Sequence, residues 1–251
     1  MVHLKKEDVY TNVSVQEAYA KTGKALVGVR WVDVSKGDDA DPDYRSGLVA
    51  KDTRKKGGEM IFAPTPPLES LRALLSLGTS PDSWMSKTPQ WEGERRSQVS
   101  FIDISRPYFH ARTDPSRPVH VHLPSEDEDQ GKGLRGKLNV DMFGTRHAAD
   151  GWCCECPETL GASGLVCGES SACVFRDPEE DLISCVHRGD CTTVGPKSFL
   201  DFFKQQLELK YELKEAARLG PGGNDDKEGS APTGSSDGLK VGWSTRATPG
   251  K

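Results

Sequence analysis

The sequence predicts an α+β fold with a mainly antiparallel sheet. Short β-branched runs come in pairs around polar turns, helical patterns fall irregularly between them, and no regular βαβ rhythm appears.

In chain order, Ser14-Val15-Gln16-Glu17 is a capping-box pattern that starts a short helix, with Gly23 as its stop. A strand is predicted over residues 26–34, and the polar turn 36–42 leads to a second strand over 44–51. The basic cluster Lys51, Arg54, Lys55 and Lys56 follows and by itself reads as a solvated loop. Pro66-Pro67 opens a helix over residues 68–77, with Leu68, Leu71 and Leu75 on one face and Gly78 as terminator. A polar connector, residues 80–97, leads to the strand Val99-Ser100-Phe101-Ile102-Asp103-Ile104.

Residues 119–123 alternate, setting His120 and His122 on one face. Such a pair could ligate metal, but no third ligand lies nearby in sequence, and solvent-facing histidines are the plainer reading. Ser125-Glu126-Asp127-Glu128-Asp129 is an acidic loop. A helix is predicted over 145–156 with Ala148, Ala149, Trp152 and Cys156 near one face. Residues 173–175 and 182–187 form a hairpin across Asp177-Pro178-Glu179-Glu180. Ser198 and Asp201 start an amphipathic helix carrying Phe199, Phe202, Phe203 and Leu207. From Gly220 the chain turns Gly-, Ser- and Pro-rich, which predicts a disordered tail.

A chain of 251 residues can bury a real core in one or two domains. Its net charge of −5 argues against a strongly basic nucleic-acid binder, though not against a local basic cleft. No apolar run approaches the ~18–20 residues of a membrane span, and the N-terminus lacks a signal-peptide core, so an intracellular protein, cytoplasmic or nuclear, is expected. Seven cysteines, an odd number, fit reduced thiols better than a disulfide framework. Cys153, Cys154, Cys156, Cys167 and Cys173 raise the question of zinc, but no paired C-x-x-C knuckle appears, and small buried thiols are the plainer reading.

Two carboxylates stand in apolar strands. Asp103 is one; Asp190 is the other, at the tip of Ile183-Ser184-Cys185-Val186-His187-Arg188-Gly189-Asp190-Cys191-Thr192-Thr193-Val194-Gly195. Burying an unpaired carboxylate costs several kcal/mol, so an Asp in such a strand needs a reason. Two such strands side by side would build a Mg²⁺ site for phosphoryl transfer.

From about Tyr10 to Glu228 the chain resembles the reverse transcriptase domain of copia-type LTR retrotransposons. Arg30-Trp31-Val32-Asp33-Val34 and Tyr44-Arg45-Ser46-Gly47-Leu48-Val49-Ala50 look like fingers strands. Phe101-Ile102-Asp103-Ile104-Ser105-Arg106-Pro107-Tyr108-Phe109-His110-Ala111 looks like the first catalytic motif of the palm. Phe143-Gly144-Thr145-Arg146-His147-Ala148-Ala149 with Trp152 looks like the substrate-contacting motif, and the Asp190 hairpin like the second catalytic motif, roughly Val-His-Gly-Asp-Asp-Phe in the family.

The resemblance implies fingers over residues 1–80, a palm over 81–219 and a tail over 220–251. It implies an RNA-directed DNA polymerase, with template-primer and dNTP as partners and Mg²⁺ held by Asp103 and Asp190. It places Tyr108 against the sugar, and Arg45 and Lys51 toward the triphosphate. The copy departs from the family pattern. Without a gap, Arg188 replaces Gly, Gly189 replaces the first Asp and Asp190 keeps the second; an insertion at Arg188 would instead make Asp190 the first and Cys191 the second. Pro107 stands where the family commonly has Ala and has no N–H to donate. Gly47 occupies a position that is often basic. The match lacks an upstream integrase and fades before a thumb or RNase H region. The expectation is a truncated, degenerate polymerase with activity lost or very low, or a palm remnant that only binds nucleic acid or protein. Arg188-Gly189-Asp190 also spells an adhesion tripeptide, which is discounted without a secretory signal.

Overall fold

The computed structural model of the chain describes residues 2–22, 26–35, 37–38, 41–52, 64–79, 97–177, 179 and 182–220. Among these, the order is α1 (Val2–Lys6), β1 (Tyr10–Ser14), α2 (Val15–Thr22), β2 (Val29–Ser35), β3 (Tyr44–Ala50), α3 (Leu68–Thr79) and β4 (Gln98–Ile104). A short 3-10 helix (Pro107–His110) follows, then β5 (His120–Val121), β6 (Leu134–Leu138), α4 (Ala148–Ala162), β7 (Val166–Gly168) and β8 (Ser171–Asp177). The chain continues through β9 (Leu182–His187), β10 (Asp190–Gly195), α5 (Lys197–Glu208) and β11 (Leu213–Leu219).

The fold is α+β with antiparallel sheets. Six strands pair in the order β11-β4-β10-β9-β8-β7, three as β1-β6-β5, and β2 with β3 as a separate hairpin. Alternation within β4 builds two apolar faces on the large sheet. Ile102 and Ile104 pack with Trp152, Cys156 and Leu160 of α4 and with Leu200, Phe203 and Leu207 of α5. Val99, on the opposite face, packs with Cys185, Val194 and Leu74 of α3. A third cluster joins Leu4 and Val9 to Leu48, Ala50, Leu138, Val140 and Met142. α3 therefore packs on the large sheet, and β1 pairs with β6, so elements before and after residue 80 share both cores.

Ser14 caps α2 as its pattern predicts: the Glu17 N–H donates to the Ser14 hydroxyl at 3.1 Å. Gly78 does not terminate α3. The helix runs to Thr79, and Gly78 lets it press on the sheet, because a Cβ there would lie 2.6 Å from Val99 Cγ2. Leu74 is the buried anchor of α3, while Leu68 is exposed. α4 starts at Ala148 and continues beyond Cys156 through Pro157, which forfeits only the bond to the Cys153 carbonyl. In α5, Leu200 rather than Phe202 joins the core; Phe202 faces outward, and the N-cap position is held by Pro196.

His120 is buried and only His122 is exposed, which corrects the solvent-facing reading of the pair. The acidic loop is tied to the N-terminal elements: Asp127 accepts from Tyr10 Oη at 2.5 Å, Glu126 from Trp31 Nε1 at 2.7 Å and Asp129 from Asn12 at 2.8 Å. Gly23, Arg54, Lys55, Lys56, residues 80–96 of the connector and residues 221–251 of the tail lie outside the described residues. Among the described residues no helix is long and apolar enough to cross a membrane.

Candidate functional site

The two carboxylates meet. Asp190, the first residue of β10, is the direct antiparallel partner of Asp103, the penultimate residue of β4. Directly opposed residues share a face of the sheet. On that face, Lys214 of β11 stands beside Asp103 and His187 of β9 beside Asp190. A row His187–Asp190–Asp103–Lys214 thus crosses four strands.

Both aspartates are exposed, so Asp103 is not a carboxylate buried among apolar side chains. Strand alternation directs it to the α3 side, and α3 makes its close approach at Val99, four residues away along β4. That separation, about 13 Å at strand rise, leaves the row open to water. Like charges directly opposed in a sheet repel. Exposure and the flanking Lys214 reduce that cost.

The tip beside the row is a two-residue turn, Arg188-Gly189, between the paired His187 and Asp190. Two bonds fix it: Trp152 Nε1–H donates to the Arg188 carbonyl at 2.5 Å, and the Ile104 N–H to the Gly189 carbonyl at 2.8 Å. Arg188 takes a left-handed backbone, φ 58°, which glycine adopts more readily. Its neighbour Gly189 carries no side chain that could bind a cation. Cys191 is fully buried on the other face of β10, packed with Ile102 and Leu200, and its thiol is pushed well up by burial. The gapped alignment would make that thiol a site ligand, and its location does not permit this.

Pro107 opens the 3-10 helix, where its missing N–H costs nothing locally. Arg106 before it is left-handed, φ 50° and ψ 53°, and ion-pairs with Glu212. Tyr108 is half-buried, edge-on to Phe143 at 4.6 Å. Burial raises its phenol pKa, and the nearby Arg188 guanidinium opposes the rise.

Arg45 and Lys51 lie with the β2–β3 hairpin, in a different sheet from the carboxylates. Arg45 pairs with Asp43 at 3.5 Å, both exposed. Lys51 anchors its backbone N–H on the Gly28 carbonyl at 2.7 Å. The link to the row is indirect: the Ala50 N–H donates to the Phe143 carbonyl at 2.7 Å, and Phe143 touches Tyr108. Gly47 opens onto empty space, so a basic side chain there would fit.

All seven cysteines are unbridged thiols. Among the described residues no group of three or more His, Cys, Asp or Glu is placed to hold a metal. Mg²⁺ asks for less, since one or two carboxylates with water and substrate phosphates hold it. The Asp103–Asp190 pair supplies two such carboxylates.

Lys214 is the site neighbour that sequence reading missed. Its segment, Leu213-Lys214-Glu215-Ala216-Ala217-Arg218-Leu219, favours helix by composition, and a register shift between Glu215 and Ala217 blurs the strand alternation. In comparisons with known proteins, no family model matches the chain and no curated protein matches it.

Proposed function

We propose that this chain is a copia-type reverse transcriptase domain, an RNA-directed DNA polymerase by descent with a strongly impaired nucleotidyl-transfer site. The observation that carries the reading is the direct pairing of Asp103 with Asp190 at the open end of an antiparallel sheet. The motif order along the sequence supports it, with β2–β3 as fingers and the six-stranded sheet as palm.

In this reading Asp103 and Asp190 would hold Mg²⁺, which would supply positive charge for phosphoryl transfer. Tyr108, steadied by Phe143, bounds the sugar position. Arg45 and Lys51, with the β2–β3 hairpin, are the residues this reading assigns to the triphosphate. Template-primer and dNTP are the partners, in an intracellular setting. Impairment follows from Gly189, which removes a ligand, and from Pro107, which removes a backbone donor. Losing one preorganised donor typically lowers rate by ~10²–10³.

Primer extension on an RNA template with Mg²⁺ is the test. Trace product that disappears in Asp103→Asn is expected, and robust extension would contradict the impairment. A second reading, a palm remnant that only binds nucleic acid, is favoured by the ligand-free Gly189. Salt-dependent template binding with no nucleotide addition in either the parent or Asp103→Asn would select it.

A further inference from the structure

We infer that Cys167 and Cys173, set across the β7–β8 hairpin from each other, are a reversible thiol–disulfide site that pins the outer edge of the large sheet. The inference stands apart from the polymerase reading, because β7 and β8 lie outside the four strands of the carboxylate row.

The hairpin brings the pair together. Cys167 is directly opposed to Phe175, and the next step of β7 is out of register, with Gly168 opposite Ser171. Residues 172–174 therefore bulge across from the single Cys167–Gly168 step, and Cys173 is the middle one. Cys173 and Phe175 are buried on either side of the half-buried Val174, so alternation persists through the bulge and keeps Cys173 on the face that Cys167 shares. Both cysteines bracket Ser171: the Cys167 thiol donates to its carbonyl at 4.0 Å, and the Cys173 N–H to its hydroxyl at 3.4 Å. A Cβ on Gly168 would lie 3.2 Å from the Val174 carbonyl oxygen, so the strands touch on both sides of Cys173. Paired strands run ~4.7–4.9 Å apart, inside the ~4.4–6.8 Å that a disulfide requires between Cα atoms.

Exposure divides the roles. Cys167 is exposed on an edge strand, whereas Cys173 is buried. Burial first, and then the neighbouring Cys167 thiol, hold the Cys173 thiol above its usual range. A soluble disulfide such as oxidised glutathione therefore meets Cys167 first. The Cys167 thiolate attacks one glutathione sulfur and breaks the S–S bond, and one glutathione leaves with the proton that Cys167 gave up. Cys173 then loses its proton and attacks the Cys167 sulfur, and the second glutathione leaves with that proton. Two protein thiols are oxidised to one bridge, and one glutathione disulfide is reduced to two thiols. The bridge closes a short loop and ties β7, exposed along its whole length, to β8. Exposed bridges are the readily reduced ones, which makes this one reversible. Cys156, the other buried thiol close to Cys167, sits on α4 rather than on the paired strand.

The test is incubation of the full chain with oxidised glutathione, alkylation of the remaining thiols and peptide mass mapping. One bridge, Cys167–Cys173, is expected, with a thermal midpoint roughly 3–8 °C above that of the reduced chain and full reversal by dithiothreitol. Cys173→Ser should stop at a glutathione adduct on Cys167. Cys167→Ser, at an exposed position, should show neither bridge nor shift and keeps the site testable if Cys173→Ser fails to fold. Cys154→Ser, which removes the other exposed thiol, should show both. Absence of a bridge in the parent, a bridge from Cys167 to Cys156, or a midpoint that does not rise on bridging overturns the inference. None of these outcomes bears on the polymerase reading, which primer extension tests separately.

Discussion

The indole N–H of Trp152, in α4, donates to the backbone carbonyl of Arg188 at the hairpin tip, 2.5 Å away. One buried side chain thereby couples the helix packed under the sheet to the turn beside the carboxylate pair. Trp152 also meets Tyr211 at 5.6 Å between ring centroids, and Tyr211 bonds Thr159 at 2.7 Å. Trp152→Phe keeps an aromatic ring but removes the donor and part of the volume. It should cost about 2–3 kcal/mol in urea unfolding. Amide exchange at Gly189 and Asp190 should rise more than at β8, since the tip loses one of its two ties.

Arg188 offers the opposite sign. A non-glycine residue in the left-handed region costs about 1–2 kcal/mol, and Arg188 sits there at φ 58°. Glycine removes that strain but adds freedom to the unfolded chain, which offsets part of the gain. Arg188→Gly should therefore stabilise by about 0.5–1 kcal/mol, raising the thermal midpoint by roughly 1–4 °C. A lowered midpoint would show that the guanidinium makes a stabilising contact that outweighs the strain.

Strand alternation and turn chemistry made much of this fold legible in the sequence. The hairpins β2–β3, β8–β9 and β9–β10 announce themselves by β-branched runs around polar turns; the last places Asp190 at the start of a strand, and the apolar run 99–104 places Asp103 in another. Long-range partnership was not legible. β11 reads as helix by composition, and it becomes a strand because β4 offers a free edge that Leu213 and Lys214 can pair with. The ties of the acidic loop were not legible either, because its acceptors, which hold Tyr10, Asn12 and Trp31, find their donors about 95 to 117 residues away. The exposure of Asp103 likewise depends on where α3 stops covering the sheet, which no local pattern encodes.

That acidic loop carries its own prediction. Tyr10 Oη donates to Asp127 Oδ2 at 2.5 Å, and Asp127 is buried. Burial first, and then Asp127, raise the Tyr10 phenol pKa, so the tyrosine stays a donor through neutral pH. Tyr10→Phe leaves a buried carboxylate short of one donor, a loss of about 1–3 kcal/mol. Urea unfolding should register it, with faster amide exchange in β1 and β6 than in β10. Equal protection in all three strands would show that the loop does not clasp the small sheet.

Asp141 sets a pH dependence. Its carboxylate is buried against α4, where a Cβ on Gly151 would lie 2.0 Å from Oδ2. Burial pushes its pKa from the usual 3.8 up to about 6, with Asp150 adding to the rise and His147 opposing it. The folded state thus binds the proton more tightly than the unfolded chain. This contribution to stability is fully present below the unfolded value of about 3.8 and is lost as pH rises through about 6. Its size is ~2–3 kcal/mol. Asp141→Asn, neutral at every pH, should unfold at higher urea than the parent at pH 8 and lose that advantage by pH 4. A difference between the two that stays constant from pH 4 to 8 would show that Asp141 does not take up a proton in the folded state.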